Sequence, residues 1–278
     1  MSNKCLLIAD HKSVDKQIHI FNKNDFSYLT SIGNFGEGPE EITVMGCLAI
    51  DEAHHQLYVS DHAKQKIFSY DMDSVMVDSL YKPQVKTAMN ETLFPSEYQY
   101  INDTLSIAVL IKPTSTSTFN QFLGRWNMNT GEMIPMKYTH PDIQKKRITF
   151  AASEKAGIYV ECYTRHDLMT ICSLDGELLY NIYGPDWDGG NGNKLQSFGT
   201  VMIGNDKIFV SYCGEDYARD SFPTKILVFD LEGNYLKTLE TGYKISDCCY
   251  DSFNNRIILS LNDVVQFAYL DTVSYTHL

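Results

Sequence analysis

Apolar and polar positions alternate along this chain, or apolar residues gather in short runs of about five to eight, with Gly, Asn, Asp and Ser between the runs. Sustained helical spacing is almost absent, so the pattern predicts an all-β protein. Laid on itself, the chain repeats. Leu6-Leu-Ile-Ala-Asp-His11 matches Leu57-Tyr-Val-Ser-Asp-His62, and each copy leads through a turn into an alternating strand, Ile18 to Phe21 in one and Ile67 to Tyr70 in the other. Polar turns follow Phe21, Tyr70, Trp126, Cys172 and Phe229, with a weaker copy at Phe267. Their mean spacing of ~52 residues lies at the upper end of the ~40–50 of propeller blades. Asp175-Gly176 and Glu232-Gly233 supply the positive φ of tight hairpins. These turns, Tyr70-Asp-Met-Asp-Ser74 included, are expected to join the two outer strands of a blade.

Paired inner strands precede them: Cys47–Asp51 with Gln56–Asp61, Tyr98–Asn102 with Thr104–Leu110, Ile148–Ser153 with Gly157–Tyr163, Thr200–Gly204 with Lys207–Cys213, and Asp247–Asp251 with Arg256–Leu261. The expected fold is an all-β, six-bladed β-propeller in one domain, its antiparallel four-stranded blades covering 5–33, 47–81, 98–138, 148–183, 200–240 and 247–278. Strands run A to D from the axis outward. Tyr58, Ile107, Tyr159, Phe209 and Ile258 are expected at one shared B-strand position between sheets. The first copy opens on a B strand, Cys5 to His11, which predicts an uncovered edge at Leu6 to Ala9 and a segment upstream. Val273-Ser-Tyr-Thr-His-Leu278 reads either as the last D strand, which would close the ring, or as translated adapter sequence. The first and last blades are therefore open to being incomplete.

Composition adds constraints. A formal charge of −12, with no basic block longer than Lys145-Lys146-Arg147, opposes a nucleic-acid partner. Seven cysteines without Cys-x-x-Cys spacing signal no zinc site and no disulfide framework, and are expected as small apolar residues, with a single disulfide as the alternative. No run of ~20 apolar residues calls for a transmembrane segment. No motif calls for a cofactor, and a monomer is expected.

Gly33-Asn-Phe-Gly-Glu-Gly-Pro-Glu-Glu41, Leu48-Ala-Ile-Asp51, Leu57-Tyr-Val-Ser-Asp61 and Lys225-Ile-Leu-Val-Phe-Asp-Leu-Glu-Gly-Asn234 resemble the TolB-like six-bladed propeller family, related in pattern to NHL-repeat propellers. The likeness spans nearly the whole chain and rests on structural motifs. It implies an exported protein of the bacterial envelope, many relatives bearing lipoprotein signals, and no particular activity. This chain departs from that pattern, because the apolar run Cys5 to Ala9 is too brief for a signal peptide.

In such a fold the B–C loops and the passages from D to the next A open on one face, where function collects. That face is expected to carry Asp10, His11, Asp61, His62, Arg165, His166, Trp187, Glu215, Asp216 and Asp263 as ligand-binding residues, an acidic and aromatic set suited to a protein or glycan partner. Asp10 and Asp61, at B-strand ends, either face that ligand or bond their own turns. Asp186, Asp188 and Gly190 resemble the opening of a calcium loop, but Ser197 stands where the bidentate Glu belongs. Nucleophile motifs are missing. The expectation is a non-catalytic binding or scaffold protein; the alternative is a carbohydrate hydrolase or lyase using carboxylates or His in the axial channel, such as Asp61 with Glu215.

Overall fold

The computed structural model describes residues 1–90, 92–115, 117–191, 195–216 and 221–272, the side chains of Leu195 and Asp216 excepted. The protein is a six-bladed β-propeller. Its chain forms two compact units, Met1–Pro135 and Met136–Leu278, with three blades in each.

The first unit holds β1 (Cys5–Ala9), β2 (Lys16–Asn22) and β3 (Tyr28–Asn34) in blade one. Blade two is β4 (Met45–Asp51), β5 (Gln56–Asp61), β6 (Lys66–Asp71) and β7 (Gln84–Ala88), with the short helix α1 (Met72–Val75) between its last two strands. Blade three is β8 (Phe94–Asn102), β9 (Leu105–Pro113), β10 (Phe119–Trp126) and β11 (Met133–Pro135). The second unit holds β12 (Ile148–Ser153), β13 (Ile158–Tyr163), β14 (Leu168–Ser173) and β15 (Leu178–Tyr183) in blade four. Blade five follows with β16 (Leu195–Gly204), β17 (Lys207–Asp216), β18 (Lys225–Asp230) and β19 (Tyr235–Glu240), and blade six with β20 (Ile245–Asp251), β21 (Arg256–Leu261) and β22 (Phe267–Asp271). Strands pair antiparallel in chain order within every blade. Among the described residues blade one has three strands, and β1 pairs with β2 alone. Residues 273–278, expected as the closing strand, lie outside the described residues.

The B strands are buried on both faces, and alternation sorts their side chains between neighbours. In blade two Leu57 and Val59 pack with Ile18, Ile20 and Ile32 of blade one, whereas Tyr58 packs with Tyr98, Leu110 and Trp126 of blade three. Blade five repeats this: Ile208 and Val210 join Val160 and Ile171 of blade four, and Phe209 joins Ile257 and Leu259 of blade six. Each such side chain contributes about 1.5–3 kcal/mol by leaving water, so the inter-blade seams are the core.

Tyr58, Ile107, Tyr159, Phe209 and Ile258 are all buried, as expected. Tyr159, however, is not at the shared position. Gly157 has φ +70 and occupies the turn, in the place of the left-handed His55 and Asn255. The strand therefore counts from Ile158, and Val160, packed toward blade five, is the equivalent of Tyr58. A second correction concerns blade two. Tyr70-Asp-Met-Asp-Ser74 has no glycine to turn tightly, and Asp71 instead caps α1 by accepting from the Ser74 amide at 2.7 Å. All seven cysteines are free thiols. Among the described residues no helix is long and apolar enough to cross a membrane.

Candidate functional site

In blade four the B–C loop, residues 164–167, lies under the passage that leaves β15. Asp167 fastens the two together: its carbonyl accepts from the Gly184 amide at 2.8 Å and its carboxylate from the Asp186 amide at 3.0 Å. Burial pushes the Asp167 carboxyl above its usual range. The passage then turns back through Gly189 and Gly190. Gly190 has φ +86, and a Cβ there would lie 2.5 Å from the Asp142 carbonyl oxygen, so only glycine allows the passage to sit against the segment entering β12.

These segments enclose a cavity of about 510 Å³. Lys145, Arg147 and Arg165 line it with Gln144 and Asn191; among the described residues Asp142 is the one carboxylate on its lining. Between the first two cations, Lys146 turns inward and is buried, its Nζ 2.6 Å from Oε2 and 2.7 Å from Oε1 of Glu161. Tyr163 donates to the same carboxylate at 3.1 Å. That buried pair anchors the backbone from which Lys145 and Arg147 reach the cavity.

His166 also lines the cavity, with its side chain only 4% exposed. Tyr163 and Trp187 hold the ring, at centroid distances of 6.1 and 6.0 Å. Trp187 is itself held by Tyr183 at 5.0 Å and by His140 at 5.4 Å, and His140 shares a 3.0 Å hydrogen bond with the Tyr183 hydroxyl. Burial keeps both histidines below their ordinary pKa, so each is neutral at pH 7. The Nδ1 of His166 lies 4.0 Å from Oδ1 of Asp188. Among the described residues, neither this nitrogen nor Oδ2 of Asp188 has a hydrogen-bond partner. Oδ1 of Asp188 accepts from the Gly190 amide at 3.2 Å, so the glycine-rich passage is stitched by its own carboxylate.

Of the residues expected at the loop face, Arg165, His166 and Trp187 come together here. Asp61 belongs to the scaffold instead. It is fully buried in blade two, and its oxygens accept from the amides of Thr43, Val44, Ala63 and Lys64. Lys64 in turn donates to the carbonyls of Gly36, Gly38 and Glu41, which ties the Gly33–Glu41 loop down. His62 packs edge-on against Phe94 at 4.9 Å, and its Nε2, unpartnered among the described residues, is closed over by Gly46, where a Cβ would come within 2.1 Å. Asp10 accepts from the Lys12 amide at 3.0 Å, and His11 is exposed. Asp263 accepts from the Val264 amide at 2.8 Å on an exposed turn. Glu215 is exposed on β17, and the Asp216 side chain lies outside the described residues.

Lys145 and Arg147 were not expected at a site, whereas Asp188 was considered in the resemblance to a calcium loop. The first two stand in the longest basic run of the chain, which is the signal that marked them. One further cluster has metal-ligand types: Asp51, His54 and Asp103. Asp51 accepts from the His54 amide at 3.1 Å, shares a 2.8 Å bond with His54 Nδ1 and accepts from Tyr58 at 3.1 Å. In blade six Asp251 does the same with Asn254 and Arg256, so this carboxylate is a repeated tie for the A–B turn.

Residues 1–123 match the family described as a 6-bladed beta-propeller, DUF5128. No curated protein matches the chain in sequence. Among solved structures, it is similar to a protein of unknown function from Bacteroides caccae, at 12% identity over 97% of this chain and 90% of that one, with a TM-score of 0.57. It is similar to a member of the duf4221 family from Bacteroides vulgatus, at 9% identity over 98% of this chain and 100% of that one, with a TM-score of 0.62. The β-propeller domain of Cps50 (Swd1) from Myceliophteria thermophila is 9% identical over 97% of this chain and 96% of that one, with a TM-score of 0.56. At such identities the likeness shows the fold alone.

Proposed function

We propose that this propeller is a non-catalytic binding protein that holds an anionic partner, protein or glycan, in the blade-four cavity. The observation that carries this is the convergence of Lys145, Arg147 and Arg165 on one cavity of about 510 Å³ in a chain of net charge −12. Charges beyond a Debye length of ~8–10 Å are largely screened, so the local cations decide what the cavity attracts. Its volume falls within the ~300–1,000 Å³ of ligand pockets. Arg147 and Arg165 suit bidentate contact with carboxylate, sulfate or phosphate. On the resemblance to TolB-like propellers we also place the protein in the bacterial envelope, which fractionation of the producing cells tests.

The test is calorimetric titration with two chemically different polyanions, polyglutamate and dextran sulfate, at low and physiological salt. At least one is expected to bind, more weakly as salt rises, with an affinity loss of at least about tenfold when Lys145→Ala, Arg147→Ala and Arg165→Ala are combined. Equal affinity in native and triple variant overturns the proposal.

A second reading, a hydrolase or lyase acting on an acidic carbohydrate, draws on the neutral His166 and the Asp188 carboxylate 4.0 Å from it. Prolonged incubation with acidic oligosaccharides separates the two: unchanged ligand supports binding, and shortened or unsaturated products support the enzyme.

A further inference from the structure

We infer that the blade-four cavity takes up its anion together with a proton, carried by His166, so that the site holds its ligand more tightly as the surroundings turn acidic. This rests on the anion-binding reading above and adds how that site is regulated.

His166 stands between two environments. It belongs to the lining of the cavity, beside Lys145, Arg147 and Arg165, with Asp142 on the same lining. The rest of the side chain is packed away, only 4% exposed, against Tyr163 of β13 and Trp187 of the passage. Asp188, which is not on that lining, stands behind the ring with its Oδ1 4.0 Å from Nδ1. His140, from the segment before β12, lies on the other side of Trp187.

These groups set a balance. Burial disfavours the imidazolium, Asp188 favours it and His140 opposes it. Burial prevails, and in the free chain the ring is neutral at pH 7. Protonation there would bring a fourth positive charge to a cavity that three cations already border. An anion reverses the sum, because it offsets those like charges and itself attracts the imidazolium. No direct bond to the ring is needed. An anion near the middle of a cavity of about 510 Å³ lies well inside a Debye length of ~8–10 Å from the wall. The added proton also finds an acceptor within the protein. Both nitrogens of an imidazolium donate and the Asp188 carboxylate accepts, so the pair now 4.0 Å apart closes into a charged hydrogen bond.

If the anion strengthens proton binding, the proton strengthens anion binding by the same factor. The affinity therefore rises as pH falls from the pKa of His166 in the complex to its lower pKa in the free chain, and is flat outside that window. His140 is also held neutral by burial, but it is off the lining, stacked on Trp187 and bonded to Tyr183, so the effect is assigned to His166.

The probe is a small sulfated dextran, whose sulfate esters stay ionised throughout, so any proton taken up goes to the protein. Calorimetric titrations at pH 5.5, 6.5 and 7.5 are expected to show an affinity at least about fivefold higher at the lowest pH than at the highest. Paired buffers of different ionisation heat at pH 6.5 are expected to show net uptake of at most about one proton per site. His166→Phe should flatten the dependence to less than about twofold, and His140→Phe should keep it. Should either variant fail to fold, NMR titration of the assigned His166 ring in the native chain decides: its midpoint is expected to move up when the dextran is bound. Equal affinity at the three pH values, no proton uptake, or a midpoint unmoved by saturating dextran overturns the inference and leaves the anion site standing. Loss of the pH dependence in His140→Phe but not in His166→Phe overturns it as well. Failure of the dextran to bind at any of the three pH values also overturns it, and failure of polyglutamate too removes the anion reading with it.

Discussion

The corner of blade two around Asp61 and the corner of blade four around His166 are built from the same parts, yet only the second is proposed as a site. Each joins the end of a B strand to a glycine-rich passage, and each presents carboxylate, histidine and basic side chains. In blade two the parts satisfy one another. Asp61 takes four amides, Lys64 takes three carbonyls, and the spare nitrogen of His62 is shut beneath Gly46. In blade four Asp167 fastens the passage to the B–C loop, and Lys145, Arg147, Arg165 and His166 line a cavity beside it. Residue types are the same signal in both places; what separates the two corners is that one closes over its own carboxylate and histidine whereas the other borders a cavity.

The largest expected effect breaks that comparison directly. Asp61→Ala orphans four amides and leaves the ammonium of Lys64 without its carboxylate, a loss of roughly 3–5 kcal/mol. Asp188→Ala, which removes a carboxylate with one amide partner, is expected to cost about 1 kcal/mol or less. Urea unfolding of the two variants checks this, and equal losses would erase the distinction. Next in size is Gly190→Ala. Its left-handed φ and the nearby Asp142 carbonyl predict a loss of about 1–3 kcal/mol together with weakened anion binding, because the cavity wall must move. Retained binding with unchanged stability would show that the passage does not shape the cavity.

The smallest effect is in pH. His62, His140 and His166 are all held below their ordinary 6.5 by burial. Between that lowered value and 6.5 the unfolded chain binds more protons than the folded one, so stability falls as pH drops below 6.5 and is flat with respect to these groups above it. Each histidine contributes at most about 1.4 kcal/mol per pH unit. Unfolding free energies at pH 5.5, 6.5 and 7.5 should slope less steeply in His166→Phe than in the native chain; an identical slope would mean that His166 is not held neutral.

The fold was legible because a propeller repeats one strand pair and its turn, so errors in one copy are corrected by the others. They were local: Gly157 counted as strand rather than turn, and Asp71 taken for a hairpin where it caps a helix. The site was legible only in part. Arg165, His166 and Trp187 follow from loop topology, since they sit in one B–C loop and the next passage. Lys145 and Arg147 arrive from the segment before β12, where only the buried Lys146–Glu161 pair reveals which of three consecutive basic residues turns inward. Asp61 looked like a ligand because nothing in Leu57-Tyr-Val-Ser-Asp61 tells that the Gly33–Glu41 loop folds back to spend its oxygens.

Hydrogen–deuterium exchange on the native chain, with and without a small sulfated dextran, tests the contrast between the two corners most directly. Protection is predicted in residues 142–147, 164–167 and 184–191, with exchange unchanged in residues 33–46 and 61–66. Protection of the Gly33–Glu41 corner, or none in blade four, would contradict it.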